Sequence, residues 1–184
     1  MSTVQIAIYA ILGLALAISV ITDLRTRTIK NFVTFPTLLL SLALRGGFEG
    51  WGSFAGEGLA SGLLGMLIGG LFFFIFARAG GMGMGDVKLV AAVGAGVGFP
   101  AIVACLVCIG LAGGVEALVV LIWQGKLLRT FGGMGRWVLQ KARVAKGEED
   151  ALQRVKIPYG VAIALGTVWG LYEYWRLSQP PIPS

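Results

Sequence analysis

Apolar runs near twenty residues long recur along this chain, and no other feature limits its fold so strongly. Such a run crosses roughly 30 Å of hydrocarbon at about 1.5 Å per residue. In lipid, each backbone N–H and C=O must be bonded within its own segment, so the runs fold as helices. With 57% hydrophobic and only 13% charged residues, the chain lacks the polar surface that a soluble domain of this size needs. The expected fold is an all-α polytopic membrane protein of about six transmembrane helices.

Span 1 is read over residues 4–21, ending at Thr22-Asp23 and followed by Arg25, Arg27 and Lys30 in a short loop. No basic region precedes it, and its one Ala-x-Ala (Ala15 to Ala17) lies inside the apolar run, so it reads as a retained helix. Span 2, residues 32–44, is short and carries Pro36 near its start, which suits a helix beginning at the interface. A glycine-rich loop over 46–56 holds Trp51, with Arg45, Glu49 and Glu57 in or beside it. Span 3 covers 58–77, where Gly58, Gly62, Gly65, Gly69 and Gly70 would let neighbouring helices approach closely. Arg78 and a second glycine-rich stretch lead to Asp86, and spans 4, 5 and 6 follow at 87–99, 101–123 and 157–175. Together these make one transmembrane domain over residues 1–177, with a linker at 124–156. The tail, 178–184, holds Pro180, Pro181 and Pro183 and is expected to be disordered. Within the linker, Met134, Trp137, Val138, Ala142 and Ala145 recur near helical spacing. An amphipathic helix on the inner leaflet and an ordinary solvated loop both fit that pattern.

The net charge of +6 invites a nucleic-acid reading, but the placement of the charges opposes it. Lys and Arg of membrane proteins collect in cytoplasmic loops and set orientation. With the N-terminus outside, the cytoplasmic side holds Arg25, Arg27, Lys30, Arg78, Lys88 and the basic linker, leaving Arg45 and Arg176 outside. This orientation places Asp23 and Asp86 on one side, the cytoplasmic one. A miscounted span 2 or 3 would put them in opposite compartments.

The chain has no histidine, which removes Ser-His-Asp triads, Cys-His pairs and His-based zinc protease motifs. Carboxylates remain. An acid at the rim of a membrane helix is costly to keep and is a functional candidate by default. Two aspartates within a few Å cannot both ionise cheaply and would share a proton. One then serves as base toward a water while the other polarises a substrate carbonyl. That chemistry requires no metal and no cofactor. Gly80, Gly81, Gly83 and Gly85 around Asp86 permit unusual backbone and close approach of an extended peptide. A phosphate loop is rejected, since the Gly-x-x-x-x-Gly-Lys-Ser/Thr pattern is missing. Cys105 and Cys108 sit inside an apolar helix and read as packing residues rather than redox or metal ligands. Glu116 reads either as a third functional acid or as a protonated residue bonded to a neighbouring helix, the second being preferred. Lys88 either tunes Asp86 or marks the membrane edge. The competing class is an ion- or proton-coupled transporter using intramembrane carboxylates. Its usual paired discontinuous helices near the midplane have no counterpart in an internal repeat here.

At three places the chain resembles the type IV prepilin peptidases, membrane aspartic proteases that share a Gly-x-Gly-Asp motif with presenilin-type proteases. Asp23-Leu-Arg-Thr-Arg-Thr-Ile-Lys-Asn31 is similar to the family's first motif, and Gly83-Met-Gly-Asp-Val-Lys88 to its second. Ile157-Pro158-Tyr159-Gly160 resembles its late Pro-Tyr-Gly segment. The resemblance implies that Asp23 and Asp86 are the catalytic pair. Gly83, Gly85, Lys88, Arg25, Arg27, Asn31, Pro158, Tyr159 and Gly160 would support them. It also implies cleavage of the leader of pilin-like precursors after a glycine, at the cytoplasmic face of the bacterial inner membrane. The partners implied are the precursors and the lipid bilayer, with no nucleic acid. Lys30 stands where many relatives have proline. The chain lacks the Cys-rich insert of the longer, bifunctional relatives, so the expected enzyme is a peptidase without methyltransferase, as in Flp-type pilus systems. Acidic residues just after the cut bond would suit Arg25 and Arg27.

Overall fold

The computed structural model describes residues 2–78, 82–123 and 159–179. Within them the chain forms α1 (Thr3–Thr26), α2 (Asn31–Leu44), α3 (Leu59–Arg78), α4 (Met84–Val97), α5 (Ala101–Trp123) and α6 (Tyr159–Ser178), with no strand among the described residues. It is an all-α polytopic membrane protein, and α1, α3 and α5 are each long and apolar enough to cross a bilayer. Two compact units are present: Met1–Gly113 with Pro158–Ser184, and Gly114–Ile157. The described part of the second unit is the C-terminal portion of α5. The linker 124–156, Gly80, Gly81, Ile157, Pro158 and residues 180–184 lie outside the described residues. Ser178 is the last residue of α6.

Local chemistry sets the helix ends. Ser2 caps α1, its hydroxyl accepting from the Gln5 N–H while the Gln5 side chain accepts from the Ser2 N–H. The helix runs past Asp23 and closes at Arg27, whose left-handed φ of 50° turns the chain and whose N–H donates to the Asp23 carbonyl. Pro36 lies one turn inside α2, and the carbonyl it orphans is that of Phe32, at the exposed end. After Leu44, α2 continues as a π-helical turn, Arg45–Glu49, where an open loop was expected.

Packing in the first unit centres on α4, which is buried along almost its whole length. At 14 residues it spans only about 21 Å. Protein rather than lipid meets its end: the Phe99 N–H donates to Ser61 Oγ on α3, and Ser61 Oγ donates back to the Phe99 carbonyl. Gly65 of α3 and Gly94 of α4 face each other so closely that a methyl on either would strike the carbonyl of the other. Gly69 approaches the Val90 carbonyl in the same way. Gly58 departs from this group: it sits before α3 with φ of 106°, in a turn against Gly52. α2 is apolar outside and polar inside, its buried residues being Thr34, Thr37 and Ser41. On α6, Gly166 and Gly170 lie against the α5 backbone at Ile109 and Cys105. Both cysteines are free and buried, consistent with packing.

Arg45, read as an outer loop charge, is instead 3% exposed. Its guanidinium donates to the Gly96 carbonyl at 2.8 Å and pairs with Glu49 at 3.5 Å, while Glu49 accepts the Gly58 N–H at 2.9 Å. The buried ion pair lies within the turn after α2, and its hydrogen bonds tie that turn to α4 and to Gly58 ahead of α3. Charge this deep is tolerated only because it is paired and hydrogen-bonded.

Candidate active site

The C-terminal end of α1 and the N-terminal ends of α2, α4 and α6 meet at one end of the first unit, and both motif aspartates lie there. Asp23, in the last turn of α1, is 5% exposed; Asp86, in the first turn of α4, is 9% exposed. Each carboxylate is held by one backbone amide. The Gly160 N–H donates to Asp23 Oδ2 at 2.8 Å, and the Gly83 N–H donates to Asp86 Oδ2 at 3.0 Å.

The two acids are near enough for the charge on Asp23 to act on Asp86. Asp86 stands ahead of the apolar stretch of α4 that starts at Val87. Burial pushes its carboxyl above the ordinary carboxylate range, the Gly83 amide opposes that, and the neighbouring Asp23 charge adds to it. A site with one acid disposed to keep its proton beside a second carboxylate can activate a water and polarise a carbonyl together.

Of the four glycines read around Asp86, the two that are described, Gly83 and Gly85, hold ordinary backbone. Gly83 is an extended N-cap with φ of −80°, and Gly85 is helical. Gly85 matters because a Cβ there would come within 3.1 Å of Ile29 Cβ. Gly160 is the tightest of the set: its Cβ would lie 2.9 Å from Asp23 Oδ2. Tyr159, the first residue of α6, packs against the apolar core. Pro158 falls outside the described residues. Arg25 and Arg27 are exposed. Lys30 holds φ of −82° and ψ of 131°, an extended backbone close to what a proline ring imposes. Lys88 does not pair with Asp86; its Nζ donates to Asn31 Oδ1 at 3.0 Å and stands 5.3 Å from the Phe35 ring centroid.

Ile29 and Phe35 were not singled out from the sequence. Ile29 had a visible signal, as the lone apolar residue in the stretch from Arg25 to Asn31. Phe35 had none, since an aromatic residue in an apolar run looks like any other. Among the described residues no cluster of His, Cys, Asp or Glu suited to a metal is found.

The model of the type IV leader peptidase family matches residues 10–122, a range that takes in Asp23, Asn31, Asp86 and Lys88. No curated protein and no solved structure matches the chain. The match covers more than half of the sequence and stops before α6, whose Gly160 amide nevertheless reaches Asp23. On that match and this all-helical membrane architecture, the chain belongs to the type IV leader peptidase family.

Proposed function

We propose that the chain is a membrane aspartic endopeptidase that removes the leader from type IV pilin-like precursors of the Flp type. It cuts after a glycine at the cytoplasmic face of the inner membrane. One observation carries this reading: two buried carboxylates, from α1 and α4, interact at the same end of the unit, each fixed by a glycine amide.

In this mechanism Asp23 takes a proton from a water as the water oxygen attacks the scissile carbonyl. Protonated Asp86 hydrogen-bonds the carbonyl oxygen and gives it a proton, forming a tetrahedral diol. As the C–N bond breaks, the proton held on Asp23 passes to the leaving amine, and Asp86 recovers its own from the collapsing diol. Water is consumed, an acid and an amine are released, and both carboxyl groups return to their starting states. No cofactor takes part, and methyl transfer to the new N-terminus is absent.

The test is cleavage of a pilin-like precursor in membranes by wild type, Asp23→Asn and Asp86→Asn, with detergent-stable yield as the folding control. Loss of cleavage by at least about 10³-fold in both variants, at normal yield, is expected for groups in direct contact with the reacting atoms. Cleavage surviving in either variant would remove the two-carboxylate mechanism, and a wild type that leaves the precursor uncut would bring forward proton- or ion-coupled transport.

A further inference from the structure

Lys88 follows Asp86 by two residues, which carries its side chain about 200° around α4 from the carboxylate. Among the described residues, the ion pairs are Arg45–Glu49 and Glu173–Arg176, so none joins Lys88 to Asp23 or Asp86. The ammonium instead reaches α2. It donates to Asn31 Oδ1 at 3.0 Å and lies over the Phe35 ring at 5.3 Å from the centroid. Asn31 and Phe35 are one helical turn apart, so both present the same face of α2 to it.

A second contact runs alongside, with Gly85 of α4 packed on Ile29 in the loop before α2. That loop begins where the Arg27 N–H closes α1 on the Asp23 carbonyl at 2.8 Å. The segment bearing Asp23 and the helix bearing Asp86 are therefore joined twice, and neither join touches a carboxylate.

We propose that Lys88 is a positioning residue: clipped between Asn31 and Phe35, it holds the start of α4 to the start of α2 and so sets the separation of Asp23 and Asp86. Reacting groups must keep their geometry within about 0.5 Å. A displacement near 1 Å costs on the order of a hundredfold in rate. Arginine would retain both contacts, glutamine only the hydrogen bond, and methionine neither. For its rate readout the inference rests on the peptidase reading above.

The experiment measures precursor cleavage in proteoliposomes by wild type, Lys88→Met, Asn31→Ala and the double variant. Lys88→Met is expected to lower kcat between about tenfold and a hundredfold with KM unchanged. The double variant should be little worse than the more impaired single, because both remove the same contact. Lys88→Arg should recover most of the turnover. Losses that multiply in the double variant would overturn the proposal. So would a loss confined to KM, which would make Lys88 a substrate contact. A shifted pH profile with full maximal kcat would do the same, by making Lys88 a charge acting on Asp86. If Lys88→Met fails to accumulate, Lys88→Ala, which also removes both contacts, is paired with Asn31→Ala and judged by the same criteria. The four proteins are also unfolded thermally in detergent without substrate, where coupled destabilisation is expected and additive destabilisation overturns the contact. That arm holds whatever the substrate is, whereas a wild type that leaves the precursor uncut sinks the peptidase reading alone.

Discussion

Gly160 has room for a hydrogen on its α-carbon and for nothing larger, because Asp23 Oδ2 would lie 2.9 Å from a Cβ placed there. Gly160→Ala should therefore push the carboxylate out of line and lower cleavage roughly a hundredfold, while detergent-stable yield stays near wild type. A precursor-cleavage assay beside a yield measurement checks this, and full activity would show that Asp23 does not need that position. Asp86 supplies a second prediction. Its carboxyl is raised chiefly by burial, so it keeps its proton to higher pH than an ordinary aspartate. Cleavage that needs this proton persists below the raised value and declines as pH rises through it. A kcat/KM profile should place the alkaline limb above the usual carboxylate range, and a limb inside that range would count against the acid role of Asp86. The identities of both acids were legible in the sequence, since charged residues at the rim of apolar runs stand out. Their individual amide donors were not, because a backbone N–H leaves no mark in a residue pattern.

Among the helices, α3 and α4 depend on the reciprocal fit of Gly65 and Gly94. Gly94→Ala should force the two backbones apart and destabilise the fold by about 1–3 kcal/mol. It should also reduce cleavage, because α4 carries Asp86. Thermal unfolding in detergent with the cleavage assay checks both effects, and an unchanged midpoint would show that the helices pack otherwise. The glycine spacing on span 3 announced such packing, yet the partner came only with the structure. α2 shows why. Its Thr34, Thr37 and Ser41 face inward while Phe32, Leu39 and Leu40 face out. Hydrophobic periodicity locates a core when the outside is water; in lipid both sides are apolar, and the pattern no longer tells them apart. Arg45 shows the reverse error: a basic residue after an apolar run looks like a loop charge, and only the fold buries it against the Gly96 carbonyl, with Glu49 four residues on as its counter-charge.

For the molecule as a whole, the basic residues argue that the end bearing Asp23 and Asp86 faces the cytoplasm. Cysteines introduced as Thr28→Cys and Phe54→Cys report on this, since native Cys105 and Cys108 are buried. In intact cells an impermeant maleimide should label position 54, and position 28 should be labelled only after permeabilisation. The opposite pattern would place the acids outside and exclude cytoplasmic cleavage. The sequence by itself determined the helical membrane class, the approximate spans and the acids worth testing. Those follow from hydrophobicity and charge, which sum along a short stretch of chain. The tertiary structure alone decided which groups meet. The Gly160 amide reaches Asp23 across 137 positions, and Lys88 finds Asn31 across 57. Such contacts depend on how closely helix backbones can approach one another, a property of packed pairs that no single segment carries.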